Sequence, residues 1–300
     1  MTDSKLQPFF TSVPDVKERL RKTGYLASDA VVTAVFLADQ LGKPLLVEGP
    51  AGVGKTELAK AVAAAAGARF VRLQCYEGVD ESRVLYEWNY AMQILRVQTG
   101  NRAHSGGNGG GWEETKNDIF TEEFLLERPL LTAIRQTDPT TLLIDEIDKA
   151  DVEVEGLLLE VLSDFAITIP ELGPIESTRR PFTLLTSNAS RELSEALKRR
   201  CLFLHIDFPE PHLERAILAE RVPQLGGAMA EQLVRVVGVL RGLSLKKPPS
   251  VAESIDWART LIALGQGEGA KLSDKAITAS LGAVLKHRGD HDVARQELKL

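Results

Sequence analysis

The sequence predicts an α/β fold: a parallel sheet covered by helices on both faces, followed by an all-helical segment. Three observations carry this reading. Short apolar runs of strand length (Leu45–Val47, Phe70–Leu73, Leu142–Ile144, Thr183–Thr186 and Leu202–Ile206) alternate with stretches of helical period, as expected for strands buried on both faces. The first of these runs opens into a glycine-rich loop and then an alanine-rich helix. After Phe208-Pro209-Glu210-Pro211 the strand signals stop and only helical patterns remain. That shift sets an expected boundary between a first domain, residues 1–208, and a second, residues 209–300.

Taken in order, residues 12–24 are polar around Val13, Val16 and Leu20, which suits a short amphipathic helix. Ser28 is a plausible N-cap for a helix in which Val31, Val32, Val35, Phe36 and Leu37 recur at helical spacing, and Gly42 stops it. Pro44 opens the strand Leu45–Val47. The run from Lys55 to Ala66 is helical by intrinsic propensity and ends at Gly67, before the strand Phe70–Leu73. Residues 75–120 break the alternation as an insert. They hold an aromatic cluster (Tyr86, Trp88, Tyr90), a helical stretch near Met92–Val97, and the Gly/Asn/Ser-rich segment Gly100–Gly111, which reads as a mobile loop. The aromatics suit either core packing or a client-gripping pore.

Phe120–Gln136 reads as one helix, Leu142–Ile144 as a strand and Glu153–Leu162 as a helix. Phe165–Phe182 alternates and carries Pro170, Gly173 and Pro174, which predicts a β-hairpin insertion with Arg179-Arg180 at a solvated tip. The strand Thr183–Thr186, a short helix near Leu193–Arg200 and the strand Leu202–Ile206 complete the first part. Helical patterns then cover about 212–222, 228–243, 251–264 and 273–287. No internal repeat is present.

Composition narrows the function classes. Of 300 residues, 44% are hydrophobic and 26% charged, which excludes disorder for most of the chain. The 36 basic and 42 acidic residues give a net charge of −6, which weighs against a dedicated nucleic-acid binder. Cys75 and Cys201 make no metal-type spacing and read as packed thiols in a reducing compartment. The first residues lack the order of a signal peptide, and no apolar run approaches the roughly 18 to 20 residues that span a bilayer. A cytoplasmic location is therefore expected. His104, His205, His212, His287 and His291 form no ligand spacing.

Chemistry concentrates at three places. Gly49-Pro50-Ala51-Gly52-Val53-Gly54-Lys55-Thr56 matches G-x-x-x-x-G-K-[ST] between a strand and a helix. Glycines there let backbone N–H groups turn inward around phosphate oxygens at the positive end of the helix. Lys55 would neutralise the β- and γ-phosphates of ATP, and Thr56 would offer its hydroxyl to Mg²⁺. Leu142-Leu143-Ile144-Asp145-Glu146 puts two carboxylates at the carboxyl edge of a buried strand, where ligands of open α/β sheets bind. Asp145 would hold the Mg²⁺ shell and Glu146 would polarise the attacking water; otherwise both acids merely start the next helix. Asn188 ends a further strand, where its amide would orient the same water.

These three motifs in this order resemble the AAA+ ATPases, and the resemblance covers nearly the whole chain. It implies an AAA+ P-loop NTPase fold with Walker A at 49–56, Walker B ending in Asp145 and Glu146, sensor 1 at Asn188 and an all-helical lid after Phe208. It also implies an arginine finger in Ala196-Leu197-Lys198-Arg199-Arg200-Cys201, with Arg200 the better match and Arg199 the alternative. Such a finger completes a neighbouring subunit's site, so a homo-oligomeric ring is expected, with six subunits as the expected number. The pre-sensor-1 hairpin and the 75–120 insert resemble the MoxR family, chaperone-like ATPases for metalloenzymes and other complexes. Tyr86-Glu87-Trp88-Asn89-Tyr90 and Pro249–Trp257 are most similar to the ATPase of carbon monoxide dehydrogenase gene clusters. That resemblance implies help in maturing a metalloenzyme client, carbon monoxide dehydrogenase or a related molybdenum hydroxylase, and a partner with a von Willebrand factor A domain. One departure stands out: Pro249-Ser250-Val251-Ala252 lacks the sensor 2 arginine usual there, leaving Lys247 or Arg259 as substitutes. Two other classes stay open, a AAA+ motor for nucleic acid and a nucleotide-gated scaffold with little hydrolysis. The absence of an Asn-Lys-x-Asp phrase after any strand weighs against a guanine-specific switch.

Overall fold

The computed structural model describes residues 6–103, 116, 118–266 and 272–299. Nine strands form among them: β1 (Leu45–Glu48), β2 (Arg69–Gln74), β3 (Tyr86–Trp88), β4 (Leu125–Glu127), β5 (Thr140–Asp145), β6 (Ala166–Ile169), β7 (Gly173–Glu176), β8 (Phe182–Ser187) and β9 (Leu202–His205). Five of them make a parallel sheet in the order β2-β5-β8-β1-β9. Parallel neighbours need crossovers, and the intervening helices supply them. Because side chains alternate across a strand, Leu45 and Val47 enter one core with Val16, Val32, Leu58 and Val62, while Leu46 enters another with Leu130, Leu142, Leu158 and Leu185. Both faces of the sheet are thus covered, as the apolar runs imply.

Local signals set the helix ends. The Ser12 hydroxyl caps Val13–Lys22, and the Ser28 hydroxyl caps Asp29–Leu41, which closes on Gly42 in the left-handed region. The helix Lys55–Ala66 starts after Gly54 and ends at Gly67, also left-handed. The hairpin is present as the antiparallel pair β6–β7. Its arginines are not at the tip. They lie on the return to β8, with the Arg179 guanidinium over the Phe9 ring and that of Arg180 over Phe165. Cation–π stacking on core aromatics replaces the expected solvation.

Phe120–Gln136 is not one helix. It divides into a 3₁₀ turn at Glu122–Phe124, strand β4 and a helix Pro129–Arg135. The β4 strand pairs antiparallel with β3, placing Leu125 opposite Trp88. Pro129 occupies the first helical turn, where its missing N–H costs nothing. Trp88 is buried and meets Phe120 edge to face at 5.1 Å, so its role is packing and not a pore lining. The segment 100–111 also differs in part: residues 100–103 close the helix Tyr90–Ala103, while 104–111, with His104, lie outside the described residues.

Every described element from Pro211 onward is helical: Pro211–Arg221, a 3₁₀ turn at Pro223–Leu225, Gly227–Arg241, Val251–Ala263, Asp274–Val284 and Arg288–Leu298. They share a core of their own around Leu218, Leu233, Val237, Trp257, Leu261 and Leu281. The last helix has no counterpart in the sequence reading, because it buries only Asp290 and Ala294. The Asp290 carboxylate anchors it by accepting the Lys246 and Lys247 N–H groups.

A buried ion pair locks this region. Glu214, 1% exposed, accepts two bonds from Arg241, at 2.7 and 2.8 Å, and a third from Ser254 Oγ. The Arg241 guanidinium also donates to Pro249 O and stacks on Phe208 at 4.5 Å. Arg241→Ala would strand the Glu214 charge, and the expected loss is about 3–5 kcal/mol. Urea unfolding with an unchanged midpoint would contradict this.

Candidate functional site

The carboxyl ends of β1, β5 and β8 converge, and each carries a sequence-selected group. Past Glu48 the backbone turns through Gly49 at φ +152°, where a Cβ would lie 1.9 Å from Ile206 O. No side chain fits there, so glycine is required for β1 to leave the sheet beside the exit of β9. Gly52, at φ +76°, is equally constrained from the other side: a Cβ would lie 2.5 Å from Ser250 Oγ. The main chains also meet, with the Ala252 N–H donating to Gly52 O at 3.3 Å.

Lys55 begins the helix and is 6% exposed. Its ammonium donates to Gly49 O at 2.6 Å, Pro50 O at 2.8 Å and Asn188 Oδ1 at 2.8 Å, which uses all three protons. Burial pulls its pKa below the usual lysine range, against the opposing pull of the Asp148, Asp145, Glu146 and Glu48 carboxylates. Thr56 Oγ1 donates to Asp145 Oδ1 at 3.1 Å. The structure therefore gathers Lys55, Thr56, Asp145 and Asn188 in two bonded pairs, Lys55–Asn188 and Thr56–Asp145, around one cavity.

Asp145 is buried and also accepts from the Thr186 hydroxyl and from Arg72 Nε and Nη2. Glu146 follows in the left-handed region at φ +57°, where its N–H donates to Thr186 Oγ1 at 2.9 Å. That turn swings its carboxylate away from Asp145 to Lys149 Nζ at 2.7 Å and Gln74 Nε2 at 3.0 Å. Asn188 is fixed through Asp148. The Asp148 carboxylate accepts the Asn188 N–H at 3.2 Å and both the N–H and the hydroxyl of Ser190. Burial raises the pKa of Asp148, but the Ser190 and Asn188 bonds outweigh it and hold the carboxyl below its usual range.

Sequence reasoning missed Asp148, Thr186, Arg72 and Gln74. Asp148 follows Asp145-Glu146 by one turn, a legible hint. The other three lie on neighbouring strands, and only the register β2-β5-β8 brings them to Asp145.

Lys55, Thr56, Asp145, Glu146, Asn188 and Ala252 line a cavity of about 230 Å³. A larger one of about 580 Å³ adjoins it and shares Gly52, Gly54, Glu57 and Ala252. Tyr25, Leu26 and Ala27 line one side, Ile206 and Phe208 the floor, and Leu213, Ile217, Val251 and Ile255 the helical side. Its size and apolar lining suit a planar base or a drug-sized molecule. Burial pushes the Tyr25 phenol well up, and the Glu57 carboxylate adds to this. Val53 is buried against this larger cavity, whereas Ala51 faces the smaller one.

A hydroxyl and a carboxylate beside a phosphate-sized cradle make an all-oxygen donor set. That set fits Mg²⁺, which takes one or two protein oxygens and completes its shell with phosphate and water.

Arg200 stands apart. It ends the helix Glu195–Arg200 just before β9, hence at the amino edge of the sheet, whereas the groups above lie at the carboxyl edge. Arg199 and Arg200 are both exposed, and neither makes a side-chain bond among the described residues. Neither of the two expected substitutes for the sensor 2 arginine lines either of these two cavities. Lys247 pairs with Glu253 and Arg259 with Asp256.

The two thiols are buried, and burial raises each to about 12. No cluster of three or more metal-ligating His, Cys, Asp or Glu residues exists among the described residues. No described helix is long and apolar enough to cross a membrane.

The sequence profile described as AAA domain (dynein-related subfamily) matches residues 44–201. "Uncharacterized protein SH1500" of Staphylococcus haemolyticus is 23% identical over 290 residues, 93% of this chain and 98% of that protein. "Uncharacterized protein YehL" of Escherichia coli is 28% identical over 241 residues, 73% of this chain and 60% of that one. Chaperone protein ClpB of Staphylococcus aureus is 27% identical over 180 residues, 58% of this chain but 18% of ClpB. Among solved structures, a point mutant of Thermotoga maritima RuvB aligns with TM-score 0.47 at 19% identity, over 93% of this chain and 73% of that one.

Proposed function

The chain belongs to the AAA domain family, dynein-related subfamily, and from that premise we propose that it is an ATP-driven, chaperone-like remodeller of the MoxR type that matures a metalloenzyme. The observation that supports it best is the gathering of Lys55, Thr56, Asp145 and Asn188 around one cavity, through the bonds Lys55–Asn188 and Thr56–Asp145, beside a larger and mainly apolar one. The triphosphate would exchange for the Gly49 and Pro50 carbonyls on Lys55 Nζ, with loop N–H groups and the helix N-terminus completing the cradle. Thr56 and Asp145 would hold Mg²⁺, which supplies charge neutralisation of the β- and γ-phosphates. Glu146 would turn from Lys149 and Gln74 to take a proton from the attacking water, while Asn188 orients that water. Residues 209–300 would act as the lid over this site.

In this reading the protein works as a homo-oligomeric ring, expected to be hexameric, in the cytoplasm. A von Willebrand factor A domain partner would deliver the client, carbon monoxide dehydrogenase or a related molybdenum hydroxylase. This finer part rests on the sequence resemblance alone. ATP turnover measured beside solution mass, with and without Mg·ATP, tests the core of the proposal. Turnover with ATP-dependent growth supports a motor, and a monomer that binds ATP without turning it over contradicts it. That second outcome favours the scaffold reading, which the alanine at position 252 makes specific: no described cation of the helical region lines the phosphate cavity.

Arg200, remote from its own site, is assigned to the neighbouring one. Arg200→Ala should keep ATP binding and lose turnover by about 10³-fold or more. Mixing it with Glu146→Gln should restore part of the activity, since each hybrid interface can pair an intact Glu146 with an intact Arg200. Confirmed mixed rings without recovery would remove Arg200 from this role.

A further inference from the structure

Asp145 is already held by a cation belonging to the chain itself. On β2, Arg72 directs Nη2 to Asp145 Oδ2 at 2.6 Å and Nε to the same oxygen at 3.0 Å. The Thr56 and Thr186 hydroxyls occupy Oδ1. The two partners differ in burial: the Asp145 side chain is 3% exposed and that of Arg72 is 44% exposed. A carboxylate so buried is costly without a positive partner. A guanidinium near solvent, by contrast, can leave and be rehydrated, and Arg72 keeps Gln74 Oε1 as a second acceptor.

Mg²⁺ held by Thr56 and Asp145 would bring a second positive charge to the carboxylate that Arg72 now neutralises, so the two cations would compete for it. We propose that Arg72 is a positioning residue that supplies the charge of the divalent cation at Asp145 until Mg·ATP displaces it, and so sets the metal concentration at which the site fills. The proposal rests on the reading of Thr56 and Asp145 as the metal site. It has two opposed consequences. Without metal, Arg72 shields the phosphates from the Asp145 charge and favours ATP binding. With metal, it competes.

The test uses the whole chain with Arg72→Gln and Arg72→Lys, and Mn²⁺ as the probe. Free Mn²⁺ is followed by electron paramagnetic resonance with ATP kept below the protein concentration, so that no unbound nucleotide chelates the metal, and ATP affinity in EDTA is followed with a fluorescent analogue. Arg72→Gln is expected to lower the Mn²⁺ midpoint roughly tenfold and to weaken metal-free ATP binding by a similar factor, as suits loss of one charge-assisted pair. Arg72→Lys should fall between. A structural defect would weaken both affinities together, so only the opposite signs support the proposal. Adding Asp145→Asn should abolish the effect of Arg72→Gln on Mn²⁺. An unchanged or raised Mn²⁺ midpoint with ATP binding intact overturns the role of Arg72 and leaves the nucleotide reading standing. A wild-type protein that binds no ATP overturns both.

Discussion

Glu146→Gln is expected to cut ATP turnover by about 10²–10⁴-fold, the range for loss of a general base, while ATP still binds. The substitution is close to isosteric. The left-handed backbone at position 146 is held by the Thr186 hydroxyl through the main chain, which the change leaves alone. An amide oxygen can still accept from Lys149, so the loop should keep its place. What disappears is basicity. Rapid-quench measurement of bound ATP, with nucleotide affinity measured beside it, separates the two effects. A turnover rate close to wild type would remove Glu146 from the role of base and leave the acidic pair as a helix start.

The second large effect concerns binding. Lys55→Ala removes the only donor to Gly49 O, Pro50 O and Asn188 Oδ1 among the described side chains, and with it the charge proposed to face the triphosphate. Bonds to charged groups are worth about 1.5–3 kcal/mol each, so a loss of about 3 kcal/mol or more is expected, roughly a hundredfold in Kd. Calorimetric titration with ATP reads it directly. Burial already holds the Lys55 ammonium below the usual lysine range, so the wild-type affinity should decline at a less alkaline pH than an exposed lysine would give. Normal ATP affinity in Lys55→Ala would mean that the glycine loop is only a turn.

The sheet was legible because its strands, four to six residues long, carry short apolar stretches such as Leu45–Val47 and Leu142–Ile144 between glycine or proline boundaries. The loop 49–56 was legible because its glycines answer contacts no side chain tolerates, at Ile206 and Ser250. Three things were not. The β3–β4 ribbon is three residues long on each side, too short for alternation to register, and its pairing joins positions about forty apart. The helix Arg288–Leu298 fully buries only Asp290 and Ala294, with Leu298 partly packed against the core, so its apolar stripe is too thin to register in the sequence. Arg72, Gln74 and Thr186 acquire meaning only through strand order, which a local pattern cannot supply.

The Ala252 N–H to Gly52 O bond joins main chain to main chain. Its strength is therefore indifferent to which side chain stands at position 252, proline excepted, so the sequence there is free to drift without untying the helical region from the loop. The fastening of the helical region to the loop is therefore separable from whatever side chain position 252 presents to the cavity it lines.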